Sequence, residues 1–332
     1  MRKPRFGALF LAGMIFLTTL PVARADDKKD NVDDIGNRRV AHRSIISQEK
    51  EIAIGKQYAD EIDKQAKILK DPVVNEYVNR LSQNLARNSD LTIPLTVKVI
   101  DDPSINAFTL PGGFIYVNTG TILAAEEEDQ LAGVIAHEIG HAAARHWAST
   151  MTKATLLQFA MLPLMFIPMS AAVYYGVMEA YLNGVPMAFL KFTRKDEEEA
   201  DFLGVQYMYK TGYDPNSYVG FFGKVMDEER RQPGSMAKVF ADHPPTGDRI
   251  IASEEEIQKI LPKRSQYLVS TSEFDDMKAR LQTVITQRKR HPSDTGPTLR
   301  KRESTDKTST DSGQNKTDSG GDEQPPVLKR RD

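Results

Sequence analysis

Two imidazoles and a carboxylate stand in one short run, His137-Glu138-Ile139-Gly140-His141. Residues four apart on a helix lie about 40° apart around its axis, so both rings project from one face toward one ion. This is the HExxH pattern, which pairs two zinc ligands with a general base at its second position. Two exposed histidines on a polar helix face would be the plain alternative. Leu131, Val134, Ile135 and Ile139 argue against it, because they mark a buried helix.

A catalytic zinc takes three protein ligands and keeps one position open, so a further ligand has to come from elsewhere. Cysteine cannot supply it, since the chain has none, and there are six histidines in all. His146 follows His137 by nine residues. On a continuous helix that is about half a turn away, which makes it an exposed or packing histidine. The better candidate is Glu197, within Arg194-Lys195-Asp196-Glu197-Glu198-Glu199-Ala200-Asp201. Glu197 and Asp201 form an ExxxD pair on one face of a second helix. The first can complete a His2Glu site, and the second can accept the free ring N–H of a ligating histidine. Asp196, Glu198 and Glu199 read as a solvated acidic helix start, favoured by the helix dipole.

These groups need helices to hold them. Apolar positions recur at helical spacing over residues 47–88, with Asp71-Pro72 opening the second of two helices. Residues 95–100 and 114–118 read as strands, the latter after a Pro111-Gly112-Gly113 turn. One helix is expected over 127–150, and others over 194–211, 215–231 and 249–260. Ser270-Thr271-Ser272-Glu273 reads as a capping box that opens a last helix to about Arg290. Residues 154–178 carry no charge and include Pro163 and Pro168. Two short helices or a loop–helix lid over the cleft, within 154–190 and touching a membrane surface, is the expectation. A membrane span is the alternative, disfavoured because candidate ligands flank it on both sides.

Composition bounds the rest. The 332 residues hold 44 basic and 46 acidic side chains, a net charge of −2, so no global field argues for nucleic acid. Without cysteine there are no disulfides, thiolate nucleophiles or iron–sulfur clusters. Arg2, Lys3 and Arg5, the apolar run 6–20 and Ala23-Arg24-Ala25 have the layout of a secretory signal peptide cleaved after Ala25. The periplasm is then the expected address. Residues 26–44 are expected to form a polar leader, loose at least to Asn37. Residues 291–332 hold no aromatic and only Leu299, Val327 and Leu328 as large aliphatics, so a disordered polar tail is expected.

The run from His137 to His146, with Glu197-Glu198-Glu199-Ala200-Asp201, resembles metallopeptidase family 48, the gluzincins of HtpX, Oma and CAAX-prenyl-protease type. The likeness extends to Asn106-Ala107-Phe108, Pro111-Gly112-Gly113, Gly212-Tyr213-Asp214-Pro215 and His243-Pro244-Pro245 with Arg249-Ile250. It covers about residues 45–290 and is strongest to the secreted, BepA-type periplasmic members. Those carry a tetratricopeptide array after the protease domain, where this sequence has only the polar tail.

The resemblance implies an α+β, mainly helical, zincin-type fold, with a small sheet bordering the cleft and HExxH on a central helix. It also implies one Zn2+ per chain held by His137, His141 and Glu197, with Asp201 behind them. Glu138 would take a proton from water and deliver it to the leaving amine. Residues 106–118 would border the cleft, where an extended substrate could pair with the strand edge beside Asn106, Gly112 and Gly113. An ordinary hairpin turn explains the two glycines equally well.

His243 lies in a stiff, proline-rich loop. It is expected either to cap the helix near Arg249 or to reach the cleft as a catalytic residue, blocking the zinc or stabilising the oxyanion. The function that follows is a secreted zinc endopeptidase acting on misfolded or stalled envelope proteins. Its partners would be polypeptide substrates and envelope assembly machinery. A chaperone-like client-binding protein with latent proteolysis, or a membrane-spanning protease, is the alternative.

Overall fold

The computed structural model describes residues 29–163, 167–179, 192–231 and 246–290. The expected signal peptide, the polar tail and His243 lie outside the described residues, as do 164–166 and 180–190 of the expected lid. Helix α1 (Gln48–Gln65) starts where the Ser47 side chain accepts from Lys50 N, and α2 (Pro72–Arg87) starts at an Asp71 cap followed by Pro. Three strands follow: β1 (Thr96–Ile100), β2 (Ala107–Leu110) and β3 (Phe114–Asn118). Their order is β1-β3-β2, with β1 parallel and β2 antiparallel to the central β3. β2 escapes a reading by periodicity because it has only four residues. It is nevertheless the edge strand on the catalytic side.

After the short α3 (Thr119–Ala124), helix α4 (Glu128–Ala144) runs through the centre of the protein, buried on nearly every side. The expected single helix over 127–150 is in fact two. Arg145 takes a left-handed conformation, φ 56°, and α5 (His146–Met161) begins after it. A left-handed arginine is held against its intrinsic preference by long-range contacts. Arg145 donates to buried Glu51 at 2.8 Å and to Ile46 O at 2.8 Å, while His42 N caps Ala144 O at 2.9 Å.

Among the described residues, the remaining helices are α6 (Ala171–Glu179), α7 (Arg194–Thr211), α8 (Asn216–Arg231), α9 (Gly247–Ile260) and α10 (Ser272–Arg290). α10 is capped by Thr271, which accepts from Phe274 N, so the cap falls one residue after the expected one. Within 154–178, α5 ends at Met161 and α6 is separate and short, with no buried side chain. Among the described residues, no helix is long and apolar enough to cross a membrane.

The fold's main task is to bring α7 against α4. A Cβ on Gly140 would meet Ala200 O at 2.8 Å, and one on Gly204 would meet His137 N at 3.1 Å. Glycine at both positions lets the two helix backbones approach far enough for Glu197 to reach the two histidines. Leu131, Ile135, Ile139, Leu203, Tyr207 and Phe221 fill the core around this contact.

The leader reading is corrected from residue 29 onward. Val32, Ile35 and Val40 are buried in the main core, and the Arg38 guanidinium pairs with buried Asp90 at 2.7 Å. The large apolar residues of 29–44 are few, but all three turn inward, and the Arg38 charge beside them is paired.

Candidate active site

His137 and His141 leave α4 one turn apart, with their Nε2 atoms 3.1 Å from each other. Glu197 comes across from the first turn of α7, its carboxylate oxygens 3.6 Å from each Nε2. All three residues are buried, and one ligand atom from each lies within 4.8 Å of the others. Two imidazoles and one carboxylate are the donor set of a catalytic zinc, and the grouping fits a divalent ion.

The outer nitrogens of both rings are engaged. His137 Nδ1 is 2.9 Å from Asp201 Oδ1 and 3.0 Å from the Tyr218 hydroxyl, which itself donates to Asp201. Arg249 grips Asp201 with two N–H donors at 2.7 Å and sets its third nitrogen 3.0 Å from Glu197. Burial would raise the Asp201 carboxyl, but Arg249 and His137 hold it below its usual range. Burial also works against a charge on His137, yet Asp201 and Glu197 outweigh it and push the ring up to about 9. An ion seated on Nε2 has to displace that proton, so metal uptake weakens as pH falls.

His141 Nδ1 lies 2.9 Å from His146 Nδ1. The expectation that His146 packs rather than ligates agrees with its complete burial, but its expected place half a turn away does not. The break at Arg145 swings it round to sit behind His141. Nor is Glu199 a solvated charge. It accepts from His146 Nε2 at 3.3 Å, His42 Nε2 at 2.6 Å and Lys29 at 2.6 Å. Burial would raise its carboxyl, but these three donors hold it well below the carboxylate range. Asp196 is likewise buried, in a capping box with Thr193. Glu198 is the one residue of the three that stays exposed.

Glu138 is buried beside the ligands, and its Oε2 accepts from Thr109 Oγ1 at 2.7 Å. Thr109 belongs to β2, so the edge strand and the carboxylate are tied together. Asn106 sits just before β2, its carbonyl accepting from Asn118 N and the Thr121 hydroxyl. Gly112 and Gly113 form the β2–β3 turn with φ of 75° and 83°, and a Cβ on them would strike the Ile52 backbone and Pro94 O. Their requirement for glycine comes from packing against neighbouring backbone. Phe192 stacks on His141 at 4.2 Å and covers that ring. Thr109, Tyr218, Phe192 and the Glu199 cluster give no local signal, because each reaches the site from a distant element. Arg249 is visible in sequence only as part of the family likeness.

The chemistry follows from these positions. A divalent ion bound here would polarise a peptide carbonyl and acidify a water molecule. With such an ion in place, the Glu138 carboxylate would be the group to accept a proton and to hand one to a leaving nitrogen. Thr109 orients the carboxylate through its hydrogen bond to Oε2. The β2 edge, one hydrogen bond from Glu138, offers main-chain groups to an extended peptide.

Fold and cluster together define the class, a metallopeptidase of the zincin type. The chain belongs to peptidase family M48, whose sequence pattern matches residues 72–257. It is 27% identical to the beta-barrel assembly-enhancing protease of Escherichia coli, over 76% of this chain and 52% of that one. A Vibrio cholerae relative bearing a version of the same name is 32% identical, over 66% of this chain and 46% of its own. The mitochondrial metalloendopeptidase OMA1 of Arabidopsis thaliana is 37% identical, over 46% of this chain and 30% of its own. The chain thus spans about half the length of the bacterial relatives it matches.

Proposed function

We propose that this protein is an exported zinc endopeptidase that cleaves unfolded or stalled proteins of the bacterial envelope, with one zinc held by His137, His141 and Glu197. The observation that carries this reading is the junction of Glu138 with the edge strand through Thr109. It sets a proton acceptor beside the ligand cluster and next to a strand on which any extended chain can lie. Main-chain pairing asks for an unfolded substrate rather than a sequence, as quality control requires. The signal-peptide layout of residues 1–25 and the assembly-enhancing role in the names of the bacterial relatives support the envelope address.

A client-holding role has one observation in its favour. Leu156, Leu157, Phe159, Ile167, Val173 and Tyr175 of the α5–α6 region are exposed.

One experiment separates the two. An outer-membrane β-barrel protein is offered both denatured and folded in micelles. The endopeptidase cuts the denatured form at least tenfold faster. Stable capture of the denatured form without fragments would replace this reading with the client-holding one.

A further inference from the structure

The two ligand imidazoles are held from behind in different ways. His137 Nδ1 meets the Asp201 carboxylate directly at 2.9 Å. His141 Nδ1 meets another histidine, His146, at the same distance, and that histidine's far nitrogen meets Glu199 at 3.3 Å. We propose that His146 is a positioning residue that, oriented by Glu199, fixes the His141 ring with its Nε2 lone pair directed at the ion.

The direction of the chain follows from what each group can do. An ionised carboxylate only accepts, so His146 donates to Glu199 from Nε2. A neutral His146 then offers a lone pair at Nδ1 and accepts the Nδ1–H of His141. That leaves His141 Nε2 without a proton, which is the ligand form. The opposite order would put a proton on His141 Nε2 and close it to metal.

Glu199 is itself fixed. Lys29 contacts its Oε1 at 2.6 Å, and His42 contacts its Oε2 at 2.6 Å. The left-handed turn at Arg145 is what places His146 here, and His42 N secures that turn by capping Ala144. The segment before α1 thus supports the site at two points.

His42, His146 and Glu199 could also be read as a second metal site, since their ligand atoms cluster. Two features count against a second ion. The lysine ammonium already occupies one oxygen of the carboxylate. The 2.6 Å approach of His42 to the other is a hydrogen bond, closer than two ligands of one ion would sit.

The inference rests on the zinc site proposed above, and zinc affinity separates the two. The full-length protein, stripped of metal, is titrated with zinc against a fluorescent chelator. The wild type is expected to take up one zinc per chain. His146→Phe fills the space but cannot accept a hydrogen bond, and should bind zinc about 10–100-fold more weakly. His146→Asn puts an amide oxygen near the place of Nδ1 and should recover most of that loss. Glu199→Gln, at a partly exposed position, should weaken binding in the same direction and serves as the test if His146→Phe does not fold. In zinc-loaded wild type, long-range proton–nitrogen spectra should show His146 neutral with its proton on Nε2.

A folded His146→Phe or Glu199→Gln variant with wild-type zinc affinity would overturn the positioning role alone. So would a second zinc that is lost on His42→Ala. A wild type that takes up no zinc would overturn the site reading and this inference together.

Discussion

Glu138→Gln is expected to retain its zinc and to lose about 10³-fold in the rate of proteolysis of an unfolded substrate. The carboxylate is not one of the three clustered ligand residues, so an amide in its place leaves His137, His141 and Glu197 as they are. Thr109 can donate to the amide oxygen of glutamine as it does to Glu138 Oε2, so the side chain keeps its orientation. What disappears is the ability to take up a proton and give it to the leaving nitrogen. Zinc content and cleavage rate measured on one preparation check both halves. Undiminished turnover would remove Glu138 from the role of base.

Arg249→Ala should be the most destabilising single change near the site. The guanidinium is buried and pairs with two buried carboxylates, Asp201 and Glu197. Removing it leaves both without their main cation, at a cost of about 3–5 kcal/mol in protein stripped of metal. For a domain of this size each kcal/mol lowers the melting midpoint by about 2–4 °C. Zinc should restore part of the loss, because a bound dication meets the same charges.

The pH dependence follows from Asp201, whose carboxyl is held below its usual range in the fold. A depressed carboxylate contributes its stability fully above the unfolded value of about 3.9 and loses it as pH falls through the folded one. The gap between wild type and Arg249→Ala should therefore be wide at pH 7 and narrow below about pH 4. Equal melting at pH 7 would show that the ion cluster does not hold α9 to α7.

The candidate site was legible in sequence where it rests on local spacing. His137, Glu138 and His141 lie within one helical turn, and Glu197 and Asp201 within another. Each group could be placed on a helix face without knowing where the other helix lay. The helices themselves were legible through Ser47, Asp71-Pro72 and Gly212, whose capping preferences act over a few residues. What escaped depends on contacts distant in the chain. The kink at Arg145 exists because Glu51 and His42 hold it, so a continuous helix was the natural extrapolation and His146 was sent to the wrong side. Glu199 looked like one acid in an acidic run, and only the folded chain brings Lys29, His42 and His146 to it. The leader looked loose because polar residues dominate it, although Val32, Ile35 and Val40 are buried in the main core. Gly140 has the opposite lesson. It is a variable letter of the motif, yet in this fold it sets how closely α7 can approach.

The central claim is that one zinc ion, bound by His137, His141 and Glu197, drives the hydrolysis. Proteolysis of a denatured substrate after complete chelation, followed by stepwise return of zinc, measures this most directly. The account predicts no cleavage in the chelated protein and full recovery at one zinc per chain. A His141→Ala variant should show no recovery at that stoichiometry. Cleavage that persists after chelation, or that zinc restores equally well in His141→Ala, would contradict it.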